Sequence, residues 1–352
     1  MRKKKAFPYA YIYACVFQLS ILLLTGCAKS AEQDSLTKGF EAIANLEYEE
    51  ALLQFEEAAA AGEDPAQTAR GKGIALVALT RYEEAVEEFL KAFQYSDFRV
   101  DAFDYDTNYY LATAYYRLGQ LAEAEGIYSS ILGMQPEKEA HYLRGVVRLE
   151  EGQLKQATAD FDAAIGLDPG DYDLRINVYQ SLSELGYEDE GKVYLQAALG
   201  NNEGLSEYNR GRLSYYLKDY ENAKNYLEAI PGTRDGETTL LLGQTYEKLG
   251  DFNYAASIYS NYLADHSQDV TILNRLGMCR LQSGDAKAAL ECFNEALALG
   301  DQTMTQVLKF NQIVAYEYLG DFDQANVLMK TYLQSYPDDQ DALREYEFLK
   351  SR

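Results

Sequence analysis

Apolar and polar positions along this chain of 352 residues follow a fixed rhythm. A small residue is followed twelve positions later by a second small residue, and four further on by a bulky apolar one. Gly39–Ala51–Phe55, Gly73–Ala85–Phe89, Ala112–Ala124–Tyr128 and Gly145–Ala157–Phe161 open the series. Gly211–Ala223–Leu227, Gly243–Ala255–Tyr259 and Gly277–Ala289–Phe293 continue it, and Tyr179–Gly191–Leu195 and Ile313–Ala325–Met329 are degenerate copies. The period is close to 34 residues, which predicts a stack of helix pairs rather than a domain around one core. A helix pair of this kind cannot bury its apolar stripes alone, so its neighbours must cover them.

The stretch 243–267 shows the unit in detail. Leu240, Leu241, Tyr246 and Leu249 form one stripe at helical spacing. Gly250-Asp251 stops that helix, with glycine suited to a left-handed cap. Tyr254, Ala255, Ile258, Tyr259 and Tyr262 form the second stripe. The small pair Gly243 and Ala255 lets the helices approach, and Tyr259 fills the space beside them. Turns with glycine recur at Gly119, Gly152, Gly186, Gly284 and Gly320, and Thr80-Arg81 and Lys218-Asp219 occupy the same place without it. Pro136, Pro169 and Pro337 follow second helices, where proline ends continuation.

This pattern resembles the tetratricopeptide repeat, a helix–turn–helix unit of the same length. The resemblance covers residues 32–337 and implies an all-α fold: a right-handed superhelical α-solenoid of about nine helix pairs over 35–337. Residues 338–352, with Leu343, Tyr346 and Leu349 on one face, are expected to form a C-terminal capping helix. Tyr179 and Gly191 exchange the usual sizes, so the fifth pair is expected to pack irregularly. About five extra residues fall within Gln94–Tyr105, and 200–204 reads as a joint.

The N-terminus carries a different message. Arg2, Lys3, Lys4 and Lys5 precede a mostly apolar run from Tyr9 to Leu24, and Leu24-Thr25-Gly26-Cys27 follows. This order reads as an export signal over 1–26, and the tetrad resembles the lipobox of bacterial lipoproteins. The resemblance implies acylation of Cys27, a short tether over 27–34, and a protein held by its lipid on the extracytoplasmic side of a bacterial cell membrane or outer membrane. Two or more acyl chains would make a stable anchor.

Charge narrows the partners. The net charge is −24, and losing the four cations of residues 1–26 takes it to −28. A surface this acidic repels nucleic acid. No phosphate-cradling loop, nucleophile elbow or zinc-binding His-Glu-x-x-His is present in the sequence. His141 and His266 stand apart, and Asp168–Asp173 fails as a calcium loop because Leu182 holds the place of its final glutamate. Cys279 and Cys292 read as small buried apolar residues rather than a disulfide. The expectation is therefore no enzyme, no cofactor, no metal and no catalytic residue.

The family resemblance places partners on the concave surface lined by first helices. The residues it points to are Tyr109, Tyr116 and Arg117 in the third pair and Tyr142 in the fourth. Tyr208, Asn209, Arg212, Tyr215 and Tyr216 follow in the sixth, Arg275 in the eighth, and Phe310 and Asn311 in the ninth. Tyrosine suits such a face because it offers a broad apolar surface with a polar tip, and Arg212 and Arg275 could meet an acidic group. The same tyrosines could instead simply pack between helices. The expected function is a membrane-anchored scaffold for exported or envelope proteins. The alternative is a structural subunit of an envelope assembly, secretion or pilus machine, and a glycan-binding protein or enzyme is less favoured.

Overall fold

The computed structural model describes residues 34–95, 102–200, 204–232 and 234–352. The export signal, Cys15, Cys27 and most of the tether lie outside them. So do most of the expected insertion after Gln94 and three residues of the expected joint, 201–203.

Nineteen helices and no strand occur among the described residues. They form nine pairs: α1 Ser35–Ala44 with α2 Tyr48–Ala61, α3 Pro65–Ala78 with α4 Tyr82–Tyr95, and α5 Ala102–Arg117 with α6 Leu121–Met134. Next come α7 Lys138–Glu150 with α8 Leu154–Leu167, α9 Tyr172–Glu184 with α10 Glu188–Gly200, and α11 Glu207–Tyr216 with α12 Tyr220–Glu228. The last are α13 Gly236–Leu249 with α14 Phe252–Leu263, α15 Val270–Gln282 with α16 Ala286–Ala298, and α17 Thr305–Tyr318 with α18 Phe322–Ser335. A single helix, α19 Gln340–Leu349, ends the chain. The architecture is an all-α repeat solenoid. Its contacts divide into two units, Met1–Tyr194 and Leu195–Arg352.

The repeated triplet explains why each pair closes. The bulky third residues, from Phe55 to Met329, are at most 2% exposed. Each contributes about 1.5–3 kcal/mol of apolar burial. A side-chain carbon added at Gly39 would lie 2.5 Å from the ring of Phe55, and at Gly73 it would lie 2.5 Å from Phe89. At Gly145 it would meet Phe161 at 2.6 Å, at Gly243 Tyr259 at 2.2 Å and at Gly277 Phe293 at 2.4 Å. The glycine is thus the space in which the next helix's ring lies. In the fifth pair the exchange of sizes compensates: Tyr179 is buried, and the bare Gly191 backbone makes room for it. The ninth pair sets a larger Ile313 against the unbranched Met329, both buried.

The turns are also repeated objects. Gly119 takes φ 75°, its N–H bonds to the Tyr116 carbonyl and the Gln120 N–H bonds back to Tyr115, which is the Schellman arrangement. Leu46, Thr80 and Lys218 hold the same left-handed conformation without glycine, at φ 63°, 61° and 64°. In the second unit an aspartate follows the turn and caps the next helix. Asp219, Asp251, Asp285 and Asp321 accept from the backbone N–H groups of Asn222, Tyr254, Ala288 and Gln324. Asp171, in the supposed calcium loop, instead caps α9 at Leu174 and binds Lys138.

Two details of the expected stripes need correction. On α13 the buried set is Thr238, Thr239, Leu242 and Thr245, while Leu240, Leu241, Tyr246 and Leu249 are half-buried and Tyr254 on α14 is exposed. On α19 the inward positions are Ala342, Tyr346 and Leu349, packed with Ile313, Ala325 and Met329, and Leu343 faces out.

Candidate functional site

First helices of successive pairs lie side by side, and polar bridges link the faces that the sequence singles out. In the first unit Arg70 on α3 pairs with Asp106 on α5 at 3.2 Å. The Tyr116 hydroxyl reaches Glu150 on α7 at 3.5 Å, and the Tyr142 hydroxyl lies 3.1 Å from Ser181 Oγ on α9. In the second unit the Tyr208 hydroxyl donates to Glu237 on α13 at 3.2 Å. Arg275 on α15 contacts Glu247 at 3.4 Å, and Asn311 on α17 donates to Asn274 at 2.8 Å.

Depth separates the candidate residues. Tyr109, Tyr142 and Asn311 are buried at 8%, 3% and 9% exposure. They pack between helices and offer little surface. Tyr116, Arg117, Tyr208, Asn209, Arg212, Tyr215, Tyr216, Arg275 and Phe310 are half-buried. The structure brings five of these together on α11. Arg212 lies over the Tyr208 ring at 5.3 Å and reaches Asn209 Oδ1 at 3.5 Å. Tyr215 packs edge-on against both Tyr216 and Tyr220. Burial pushes the Tyr208 hydroxyl up to about 12, with Arg212 opposing and Glu237 reinforcing.

Arg275 does not stand open to an acidic ligand as expected. Its partner Glu247 also accepts from the buried Tyr259 hydroxyl at 2.6 Å, so guanidinium, carboxylate and phenol form one bridge from α15 through α13 to α14. Phe310 sits apart, edge-on to Tyr332.

Residues 36–97 and 109–172 match the tetratricopeptide-repeat family model, and 239–348 match that of the middle TPR-like domain of cilia and flagella-associated protein 70. Residues 36–97 and 109–172 therefore carry tetratricopeptide repeats. It is 26% identical over 189 residues to BBSome complex member BBS4 of Bos taurus, an alignment covering 53% of this chain and 36% of that protein. The chain therefore spans about a third of the length of that relative. Among solved structures, a tetratricopeptide repeat protein from Parabacteroides merdae is 16% identical with a TM-score of 0.44, covering 71% of this chain and 98% of that one. YrrB, described as a TPR protein with an unusual peptide-binding site, is 21% identical with a TM-score of 0.39, covering 53% and 90%. Tetratricopeptide repeats are interaction modules, and a stack of them is a scaffold for proteins.

Within the fourth repeat lies a feature that the sequence does not announce. Asp160 on α8 is buried and accepts from Arg144 at 2.7 and 3.0 Å and from Arg148 at 2.8 Å, with His141 Nδ1 at 3.2 Å. Arg144 also reaches Ser129, and Arg148 reaches Glu125, both on α6. Burial pushes the Asp160 carboxyl up, but the bonds from Arg144 and His141 and the two guanidinium charges outweigh it and leave it below the usual value. The cluster ties α7 to the second helices on either side, and the isolated His141 finds its place there. Cys279 and Cys292 are both free thiols, and burial pushes Cys279 up to about 12. Among the described residues no helix is long and apolar enough to cross a membrane, and no group of acids, histidines and cysteines could hold a metal ion.

Proposed function

We propose that this repeat protein is a lipid-anchored scaffold, held by Cys27 on the outer side of a bacterial cell membrane or in the outer membrane, that gathers exported or envelope proteins. The observation that carries the reading is the half-buried surface of α11, where Tyr208, Arg212, Tyr215 and Tyr216 sit together on a first helix. Each ring keeps an apolar face within reach of solvent and has already lost part of its freedom, so a partner would immobilise little that is not already held. The anchor rests on the sequence alone: the basic cluster, the apolar run and Leu24-Thr25-Gly26-Cys27.

The reading is tested in the cell. With Cys27 intact, the chain takes up labelled fatty acid, fractionates with membrane and retains its partners on affinity capture. Cys27→Ala abolishes labelling, and the combined change of Tyr208, Tyr215 and Tyr216 to alanine releases the partners while the protein stays folded and anchored. Unlabelled wild-type protein would remove the anchor, and undiminished capture by the tyrosine variant would remove α11 from the site.

A further inference from the structure

Two corresponding places in the second unit carry opposite chemistry. Glu247 on α13 and Arg275 on α15 stand 28 residues apart and meet at 3.4 Å, and the Tyr259 hydroxyl of α14 donates to the same carboxylate at 2.6 Å. Glu317 on α17 and Glu345 on α19 also stand 28 residues apart, in the same register of the repeat. Glu247 and Glu317 lie four residues after Gly243 and Ile313, and Arg275 and Glu345 lie six after Asp269 and Asp339, which cap α15 and α19. Met329 holds the place of Tyr259. The carboxylate at the end of the stack has therefore lost both donors that its counterpart uses, and a second carboxylate takes the place of the guanidinium.

Glu317 Oε1 is buried, and the chain offers it no donor other than a protonated Glu345. Two facing carboxylates in a half-buried place resist ionising together. Burial first, and then Glu345, push Glu317 up to about 7. Among the described residues no other charge acts on it. On α15 Arg275 is bound to Glu247, and on α19 Arg344 pairs with Asp341 and Lys350 with Glu347. The charged residues of α16 and α18, namely Lys287, Glu291, Glu295, Asp323 and Lys330, are exposed. The start of α19 is tied down separately, where Asp339 accepts from Tyr332 at 2.6 Å and from Gln306 at 3.3 Å. Further along, Ala342 and Leu349 pack with Ile313, Ala325 and Met329, and Glu345 falls between them in the chain.

We propose that α19 is a proton-controlled cap: a proton shared by Glu317 and Glu345 holds it against α17 in mild acid, and ionisation of both releases its C-terminal half and uncovers the apolar end of the ninth pair. The sign follows from the direction of the shift. A group raised in the docked state contributes fully below its ordinary value of about 4.5, and the contribution is lost as pH rises through about 7. Asp339 does not share in this change, because the Tyr332 hydroxyl holds its carboxyl below the usual value. It keeps the start of α19 in place while the other end opens. The Glu247 bridge holds through the same range, since Arg275 stays charged.

The test is amide hydrogen exchange of the full chain at about pH 5.5 and about pH 8, each rate divided into that of an unstructured chain at the same pH. Protection of residues 345–349 is expected to fall about tenfold between the two, as loss of one raised carboxyl implies after allowance for its part exposure, while α15 and α16 keep theirs. Glu345→Arg, which restores the pairing found between α13 and α15, is expected to make the protection of α19 equal at both pH values. Glu317→Gln should do the same, and Glu347→Gln, on the exposed face of α19, should leave the fall as it is. Circular dichroism checks that each variant is folded. Equal protection of α19 at the two pH values in the wild-type chain overturns the proposal whether or not the variants fold. So does an equal fall in α15 and α16, which would mean that the unit as a whole loosens. A fall that survives both Glu345→Arg and Glu317→Gln overturns it as well, since another group would then be titrating.

Discussion

Single residues decide how closely each helix pair closes. Gly243→Ala would place a carbon 2.2 Å from the Tyr259 ring, and that ring cannot yield cheaply because its hydroxyl is bonded to Glu247. The expected loss is about 1–3 kcal/mol from overpacking, read as a lower urea midpoint. Asp160→Ala leaves Arg144 and Arg148 without the carboxylate that both bind, and removing one partner of a buried pair costs about 3–5 kcal/mol. Because the Asp160 carboxyl is held below its unfolded value, its stabilisation is present above about pH 4 and is lost as pH falls further. Wild type and the Asp160→Ala variant should accordingly converge in stability in strong acid, as thermal melts across pH would show. The glycine and its ring were legible in the sequence because both sit within one repeat at fixed spacing. The burial of Tyr109, Tyr142 and Asn311 was not, since helical periodicity sets the side of a helix and not the depth to which neighbours cover it. Nor was the Asp160 cluster, whose members come from three helices.

At the scale of elements, the repeat explains both regularity and exceptions. The fifth pair shows that the bare backbone of Gly191 leaves room for Tyr179, whose atoms lie 3.1 Å from where a side-chain carbon on Gly191 would stand, so a departure in the motif became a compensation and not a defect. Sequence pattern gave the helices and turns because stripes and glycines are local signals. It misjudged α13, where buried threonines take places expected of leucine: Thr245 satisfies its hydroxyl on the Leu241 carbonyl of its own helix, which a hydropathy pattern does not register. The end of the chain carries a charge conflict. Glu317 on α17 is pushed up to about 7 by burial and by Glu345 on α19. A folded pKa above the unfolded one means that this contribution to stability is complete below about pH 4.5 and is lost as pH rises through about 7. Glu317→Gln should therefore raise the melting temperature at pH 8 and leave it unchanged at pH 4. An equal effect at both pH values would contradict the assignment.

At the scale of the whole molecule, within each of the two units a repeat leans on its neighbours, and every added pair adds surface to the stack. Function then depends on which surface meets a partner. First helices carry the clustered tyrosines of α11 and most of the bridges from one pair to the next, while second helices supply the bulky apolar residues that fill each pair. The most direct test places a photo-crosslinking amino acid at Tyr216, on the first-helix face, or at Tyr254, 48% exposed on second helix α14, and irradiates cells producing each form. Partner adducts from position 216 and not from 254 are the predicted result. Adducts from 254 alone, or equally from both, would contradict the claim that partners are gathered along the first helices.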